Sequence, residues 1–150
     1  VADNKTTSDI RLAAMNLLAM REHSAHELRR KLAPRFEGAD VAAVIAVLTA
    51  ENLQSDERYT EAFIIMRKRQ GKGPIRIALE LKEKGISETL INLYLDSSDQ
   101  DWFELAVAER HKRFGISEPQ DMKEKARQMR FLQYRGFTQP QISSAIKATE

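Results

Sequence analysis

The residues of this chain whose types and spacing could do chemistry are three histidines, two acidic pairs, one glycine-flanked lysine and several runs of basic side chains. His23 and His26 stand beside Glu22 and Glu27, a donor set that would suit a metal only if further ligands converged on it. A tight zinc site needs three or four ligands, and the chain has no cysteine to add. His26 is expected inside a helix-capping turn, with His23 just before the cap and His111 in a basic run. Gly71-Lys72-Gly73 has the glycines of a phosphate cradle but not the G-x-x-x-x-G-K-[ST] spacing, and no strand precedes it. With Pro74 following, it reads as a helix stop and a helix start. Asp56/Glu57 and Asp99/Asp101 fall at helix starts, where the helix dipole favours carboxylates without any catalytic role. No Ser-His-Asp, Cys-His or H-E-x-x-H arrangement is present, so the sequence reads as that of a non-enzyme with no cofactor and no metal.

The basic side chains offer a different chemistry, recognition of anions. They form the sets Arg29, Arg30, Lys31; Arg67, Lys68, Arg69, Lys72, Arg76; Arg110, Lys112, Arg113; and Lys123, Lys125, Arg127, Arg130. Most charge runs are solvated helix faces with i, i+4 partners, as Arg76 and Glu80 are spaced to be. Arg67, Lys68 and Arg69 have only Glu61 as a nearby acid in their own helix, which makes them the best binding candidates. The formal net charge of +2 hides a segregation. Residues 1–57 carry 7 basic and 9 acidic side chains, 58–84 carry 8 and 3, 85–105 carry 0 and 5, and 106–150 carry 9 and 5. Such alternation suits a partner presenting both signs, such as protein wrapped on nucleic acid, better than naked DNA. Trp102, Phe103 and Phe114 fall at helical spacings and are expected in the core. Tyr134 is left open between core and base-stacking platform.

Helices must position these groups. Gly38, Gly85 and Gly136 are each followed two residues later by a cap type, Asp40, Ser87 or Thr138. Apolar residues then stand four and eight beyond the cap: Val44 and Leu48, Ile91 and Leu95, Ile142 and Ile146. Glycine can end one helix in the left-handed conformation, and the cap side chain starts the next. The glycines lie 47 and 51 residues apart, so the chain divides into three divergent repeats over about 8–54, 55–98 and 99–150. The expected fold is all-α: nine helices in three tandem three-helix repeats stacked into an elongated, curved array with three cores. The first helix is expected from about Ser8 to Met20. Ser24-Ala25-His26-Glu27 forms a capping box, and Pro34 stops the second helix. In the fourth helix Tyr59, Ala62, Phe63 and Met66 are expected inward, which puts Lys68 on the solvent face with Arg67 and Arg69 flanking it. The paired substitution Arg67→Glu and Arg69→Glu is then expected to leave stability nearly unchanged. Absent cysteine, a polar Val1–Asp9 and no run of about 18 apolar residues predict a soluble cytoplasmic protein with no membrane partner.

The block from Asn52 to Ser87 carries Ser55-Asp56-x-Arg58-Tyr59, Phe63, Arg67 and Gly73-Pro74-x-Arg76-Ile77-x-x-Glu80-Leu81-x-x-Lys84-Gly85-Ile86. Arg21-x-x-Ser24-x-x-Glu27-Leu28-Arg29-x-Lys31-Leu32 precedes it. In order and spacing these motifs resemble the RecX regulatory proteins of bacteria, over about residues 24–146. Where relatives often carry Gly-Tyr-Leu-Asp-Asp, this chain has Asn52-Leu53-Gln54-Ser55-Asp56 and keeps the cap. The resemblance implies a protein that lies in the groove of the RecA recombinase filament on single-stranded DNA and inhibits ATP hydrolysis, strand exchange and coprotease activity, and a monomer is expected. Arg67, Lys68, Arg69, Lys72 and Arg76 are the expected filament contacts. Arg29, Arg30, Lys31, Lys123, Lys125, Arg127 and Arg130 form a second tier, and binding to duplex DNA would be weak. Two rivals are a stand-alone helical DNA-binding protein touching phosphates through basic faces, and a repeat scaffold without nucleic acid.

Overall fold

In the computed structural model, which describes residues 4–149, each corner is set by its cap. The helices are α1 (Asn4–Met20), α2 (Ala25–Leu32), α3 (Val41–Ala50), α4 (Asp56–Arg69), α5 (Pro74–Glu83), α6 (Glu88–Tyr94), α7 (Gln100–Phe114), α8 (Met122–Arg135) and α9 (Gln139–Lys147). A single 3₁₀ turn, Ala33–Arg35, follows α2 and takes in Pro34. Ser24 and Thr138 close capping boxes with Glu27 and Gln141. Asp40, Ser55, Ser87, Asp99 and Asp121 each accept from a backbone N–H in the first turn that follows. At the end of α3, Asn52 takes φ 61°, the left-handed role that a glycine would otherwise fill. α1 begins at Asn4, earlier than the apolar pattern alone indicates.

The nine described helices pack as three triplets, α1–α3, α4–α6 and α7–α9. The first core is built on Ile10, Leu28, Leu32, Ile45 and Leu48, the second on Tyr59, Phe63, Ile77 and Leu81, and the third on Ala106, Leu132, Phe137 and Ile142. Burying one such aliphatic or aromatic side chain contributes about 1.5–3 kcal/mol. The accessible surface is 9338 Å², against about 7,700 Å² for a compact monomer of 17.1 kDa. That excess is what three small bodies in a row produce, and the array is elongated.

The second helices of the triplets meet end to end. At the start of α5, the Gly73 N–H donates to Arg135 O at 2.7 Å and the Ile75 N–H to Gly136 O at 2.9 Å, both at the end of α8. At the other end of α5, Lys84 O accepts from the Ser24 hydroxyl, the cap of α2, at 2.7 Å. Each joint brings the carbonyl end of one helix to the start of the next, so carbonyls orphaned at the end of α8 and α5 are satisfied by backbone N–H groups in the first case and by the Ser24 hydroxyl in the second. The α8–α5 joint leaves no room for side chains. A Cβ on Gly73 would lie 2.4 Å from Gly136 C, and one on Gly136, itself at φ 98°, would lie 2.4 Å from Arg76 Cβ.

The two junctions differ in chemistry. Between repeats one and two the contacts are polar: Ala25 N–H to Asp56 Oδ1 at 3.0 Å, Gln54 Nε2 to Asp56 Oδ1 at 2.9 Å, and Arg58 Nε to Glu22 Oε1 at 3.1 Å. Glu27 lies at the centre, accepting from the Ser24 N–H at 3.1 Å and meeting Arg21 at 3.1 Å and Lys84 at 3.8 Å. Between repeats two and three, Trp102 of α7 is buried in the core of repeat two, with Nε1 donating to Asp96 O at 2.8 Å. Leu105 packs against both cores.

Candidate functional site

The fourth helix buries Tyr59 and Phe63 as its apolar spacing suggests, but it is rotated so that Thr60 and Ile64 join them in place of Ala62 and Met66, which are exposed. Thr60 is tolerated inside because its hydroxyl donates to Asp56 O at 2.7 Å. Arg67 follows Phe63 by four residues and Thr60 by seven, so it falls in the middle of the inward stripe. Its guanidinium lies over the Phe63 ring at 4.7 Å, pairs with Glu80 at 3.3 Å and donates to Gln70 Oε1 at 2.8 Å. Lys68 lies over Trp102 at 4.6 Å with Asp101 at 4.0 Å. The expectation of three solvent-facing cations with only Glu61 near them in their helix is therefore corrected, because acids reach two of them from α5 and α7. Only Arg69 points fully into solvent.

Past Arg69 the basic strip continues through the 70–73 loop into α5. Lys72 forms no ion pair among the described residues, and neither does Arg76. Arg76 does not use Glu80 four residues on, which is taken by Arg67. It reaches instead across the joint, lying over the Tyr134 ring at 5.1 Å and donating to Tyr134 O at 3.3 Å. Arg135 closes the group, donating to Gln70 O at 2.9 Å with Glu109 at 3.6 Å. Burial and the charges of Arg76 and Arg135 hold the Lys72 ammonium pKa below its ordinary value. Lys72, Arg76, Tyr134 and Arg135 thus form one compact cationic site at the α8–α5 joint. Sequence reasoning missed Arg135 and left Tyr134 open, because their proximity to Arg76 depends on a contact 58 residues apart.

The second tier is dispersed over α2 and α8. Arg29 and Arg30 are exposed on α2 and form no ion pair among the described residues, whereas Lys31 donates to His23 Nε2 at 3.2 Å. His23 is buried, with Nδ1 3.0 Å from Arg21 O, so Nδ1 carries the proton and Nε2 accepts. Burial, partly opposed by that backbone bond, keeps its pKa low and the ring neutral. On α8, Lys123, Lys125 and Arg130 are exposed, while Arg127 pairs with Glu124 at 2.9 Å and lies 5.0 Å from the Phe114 ring centroid. Arg110, which the sequence groups with the surface cations, is fully buried. Its guanidinium donates to Ala145 O, Ser117 O, Ile116 O, Ala148 O and Gln128 Oε1, which makes it an internal brace for repeat three.

Three family models match in chain order: the first three-helix domain of RecX over residues 11–48, the second over 55–95 and the third over 99–146. The chain belongs to the RecX family. Among curated relatives, the regulatory protein RecX of Halorhodospira halophila is 41% identical over 142 residues, covering 94% of this chain and 88% of that protein. The regulatory protein RecX of Vibrio campbellii is 41% identical over 135 residues, covering 89% and 87%. The crystal structure of RecX from Lactobacillus salivarius shares the fold, with a TM-score of 0.78 at 22% identity over 95% of this chain and 96% of that one. RecX proteins are regulators, and among the described residues no helix is long and apolar enough to cross a membrane.

Proposed function

We propose that this protein is a cytoplasmic, monomeric modulator of the RecA recombinase, binding the filament on single-stranded DNA and inhibiting its ATPase, strand-exchange and coprotease activities. The observation that carries this reading is the ordered match of all three three-helix domains to regulatory RecX proteins. Two physical features support it. An elongated array can span successive protomers of a helical filament, and its surface alternates in charge as a protein–nucleic acid composite would require. Lys72, Arg76 and Arg69, the members of the central basic set without ion-pair partners, are the filament contacts of first rank. Arg67 and Lys68 position that strip through Glu80 and Asp101. Arg29, Arg30, Lys123, Lys125 and Arg130 extend it.

Binding to preassembled recombinase filaments and to bare duplex, each titrated with salt, tests this reading. Retention on filaments at salt that strips the protein from duplex is the expected result. Equal, steeply salt-dependent binding to duplex without recombinase would replace the modulator by a stand-alone DNA-binding protein. Binding to neither would leave a scaffold.

A further inference from the structure

The α8–α5 joint holds an arrangement that anion binding by a filament contact does not by itself require: two unpaired cations beside an exposed aromatic ring. Tyr134 is 74% exposed, although its ring is backed by the Arg76 guanidinium at 5.1 Å. Most of a large amphipathic side chain therefore stands in water on a rigid support. The support is rigid because Arg76 lies one residue beyond Ile75, whose N–H is bonded to Gly136 O, and Tyr134 lies one residue before Arg135, whose carbonyl is bonded to Gly73 N–H. Lys72 directly precedes the first of those bonds, and its positive charge is opposed by Arg76 and Arg135, with Glu80 a weaker counterweight. No carboxylate forms an ion pair with Lys72 or Arg76 among the described residues, so an incoming anion would relieve their repulsion. The other basic sets lack this combination. Arg67, Lys68 and Arg127 each have an aromatic ring but also an acid, Arg113 lies over Phe131 at 5.7 Å and Phe114 at 6.0 Å but both rings are half-buried, and Arg29, Arg30 and Arg69 have neither.

We infer that Lys72, Arg76 and Tyr134 form a subsite for single-stranded nucleic acid, with a backbone phosphate held by the two cations and a neighbouring base stacked on the tyrosine ring. A guanidinium-backed ring is a stacking platform that any base can use, and stacking needs a base that is free of its own duplex. The subsite therefore discriminates single strand from duplex, which phosphate contacts alone do not. This deepens the proposed function by naming where the strand within the filament is met, yet it makes a claim that holds for the protein by itself. Acidic side chains of a partner protein would satisfy Lys72 and Arg76 equally well and would make no use of Tyr134.

The test is fluorescence anisotropy of a labelled oligothymidylate and of a labelled hairpin duplex, with the full chain and its Tyr134→Ala, Tyr134→Phe and Lys72→Gln/Arg76→Gln variants, each checked for native helicity. The wild type is expected to prefer the single strand. Tyr134→Ala should lose about tenfold on the single strand while duplex binding holds within about twofold, because one base–aromatic stack is removed. Tyr134→Phe should keep the wild-type affinity. The double charge variant should weaken both ligands and lower the salt slope on the single strand by about one to two. Unchanged single-strand affinity in Tyr134→Ala, equal losses on both ligands, or no binding of either ligand by the wild type would each overturn the subsite. So would charge variants that lose filament modulation while no variant alters nucleic-acid binding, since the cluster would then face protein. Recombinase ATPase, followed in parallel, separates the two ideas: a wild type without effect on it removes the modulator reading and leaves the subsite to stand on anisotropy alone.

Discussion

Replacing Gly73 by alanine should break the joint between α8 and α5 while doing almost nothing else. Gly73 sits at φ −87° and ψ 171°, a conformation open to any residue, so the backbone itself is not strained. Losing glycine flexibility in the unfolded chain would, alone, stabilise by about 0.4–1 kcal/mol. The added methyl, however, would lie 2.4 Å from Gly136 C, 2.5 Å from Gly136 O and 2.6 Å from Phe137 N, all main-chain atoms with no side chain to move aside. The two helices must separate, and the Gly73–Arg135 and Ile75–Gly136 bonds go with the contact. Two backbone bonds whose buried partners are left incompletely satisfied cost about 1–3 kcal/mol each, which after the flexibility gain leaves a net loss of about 1–5 kcal/mol. Urea unfolding followed by the single tryptophan is well placed to read this, because Trp102 belongs to α7 of repeat three yet is buried in repeat two. With a slope of about 2 kcal/mol/M, the midpoint should fall by about 0.5–2.5 M. Gly38→Ala is the control, since a Cβ there meets nothing within 4 Å and only the positive φ of 78° opposes it, worth about 1–2 kcal/mol. A Gly73→Ala protein as stable as the wild type, or more stable, would refute the end-to-end joint.

Three further outcomes follow from named contacts. Burial alone would raise the Glu27 pKa, but the bonds from Arg21 and Ser24 and the charges of Arg21 and Lys84 hold it below its ordinary 4.5. Its stabilisation is therefore complete above that value and is lost as pH falls through the depressed folded-state pKa. Glu27→Gln should cost about 1–2 kcal/mol at neutral pH, and thermal melts should show the gap to wild type closing in acid; a gap that ignores pH would contradict this. Arg67→Glu sets a carboxylate against Glu80 and should lower stability by about 1–2 kcal/mol in urea, whereas exposed Arg69→Glu should stay within about 0.5 kcal/mol, so equal effects would refute the inward placement of Arg67. Arg110→Met strands four carbonyls and Gln128, and a loss of about 3–5 kcal/mol is expected, read as loss of hydrogen-exchange protection in α7–α9.

The helix corners were legible because capping is local: Ser24, Ser87 and Thr138 meet N–H groups within three residues in sequence, so residue type and spacing suffice. The inward face of α4 was not, because Thr60 is buried and Met66 exposed, an inversion of hydropathy that only packing decides. Arg110 shows the same limit from the other side, since a run of cations gives no sign that one of them faces carbonyls from α9 and the loop after α7. Arg67 and Lys68 looked free of acids because Glu80 and Asp101 belong to other helices. The run of cations from Arg67 to Arg76 is visible in the sequence, but its aromatic half escaped notice because Tyr134 arrives through the α8–α5 joint. That joint rests on backbone groups, which every sequence carries alike.

The central claim is most directly tested by ATP hydrolysis of the cognate recombinase on single-stranded DNA as the protein is titrated in, with its binding to bare DNA measured alongside. Inhibition at concentrations too low to coat bare DNA is the predicted result. Undiminished hydrolysis together with tight, salt-sensitive binding to bare DNA would contradict the account and leave a DNA-binding protein in its place.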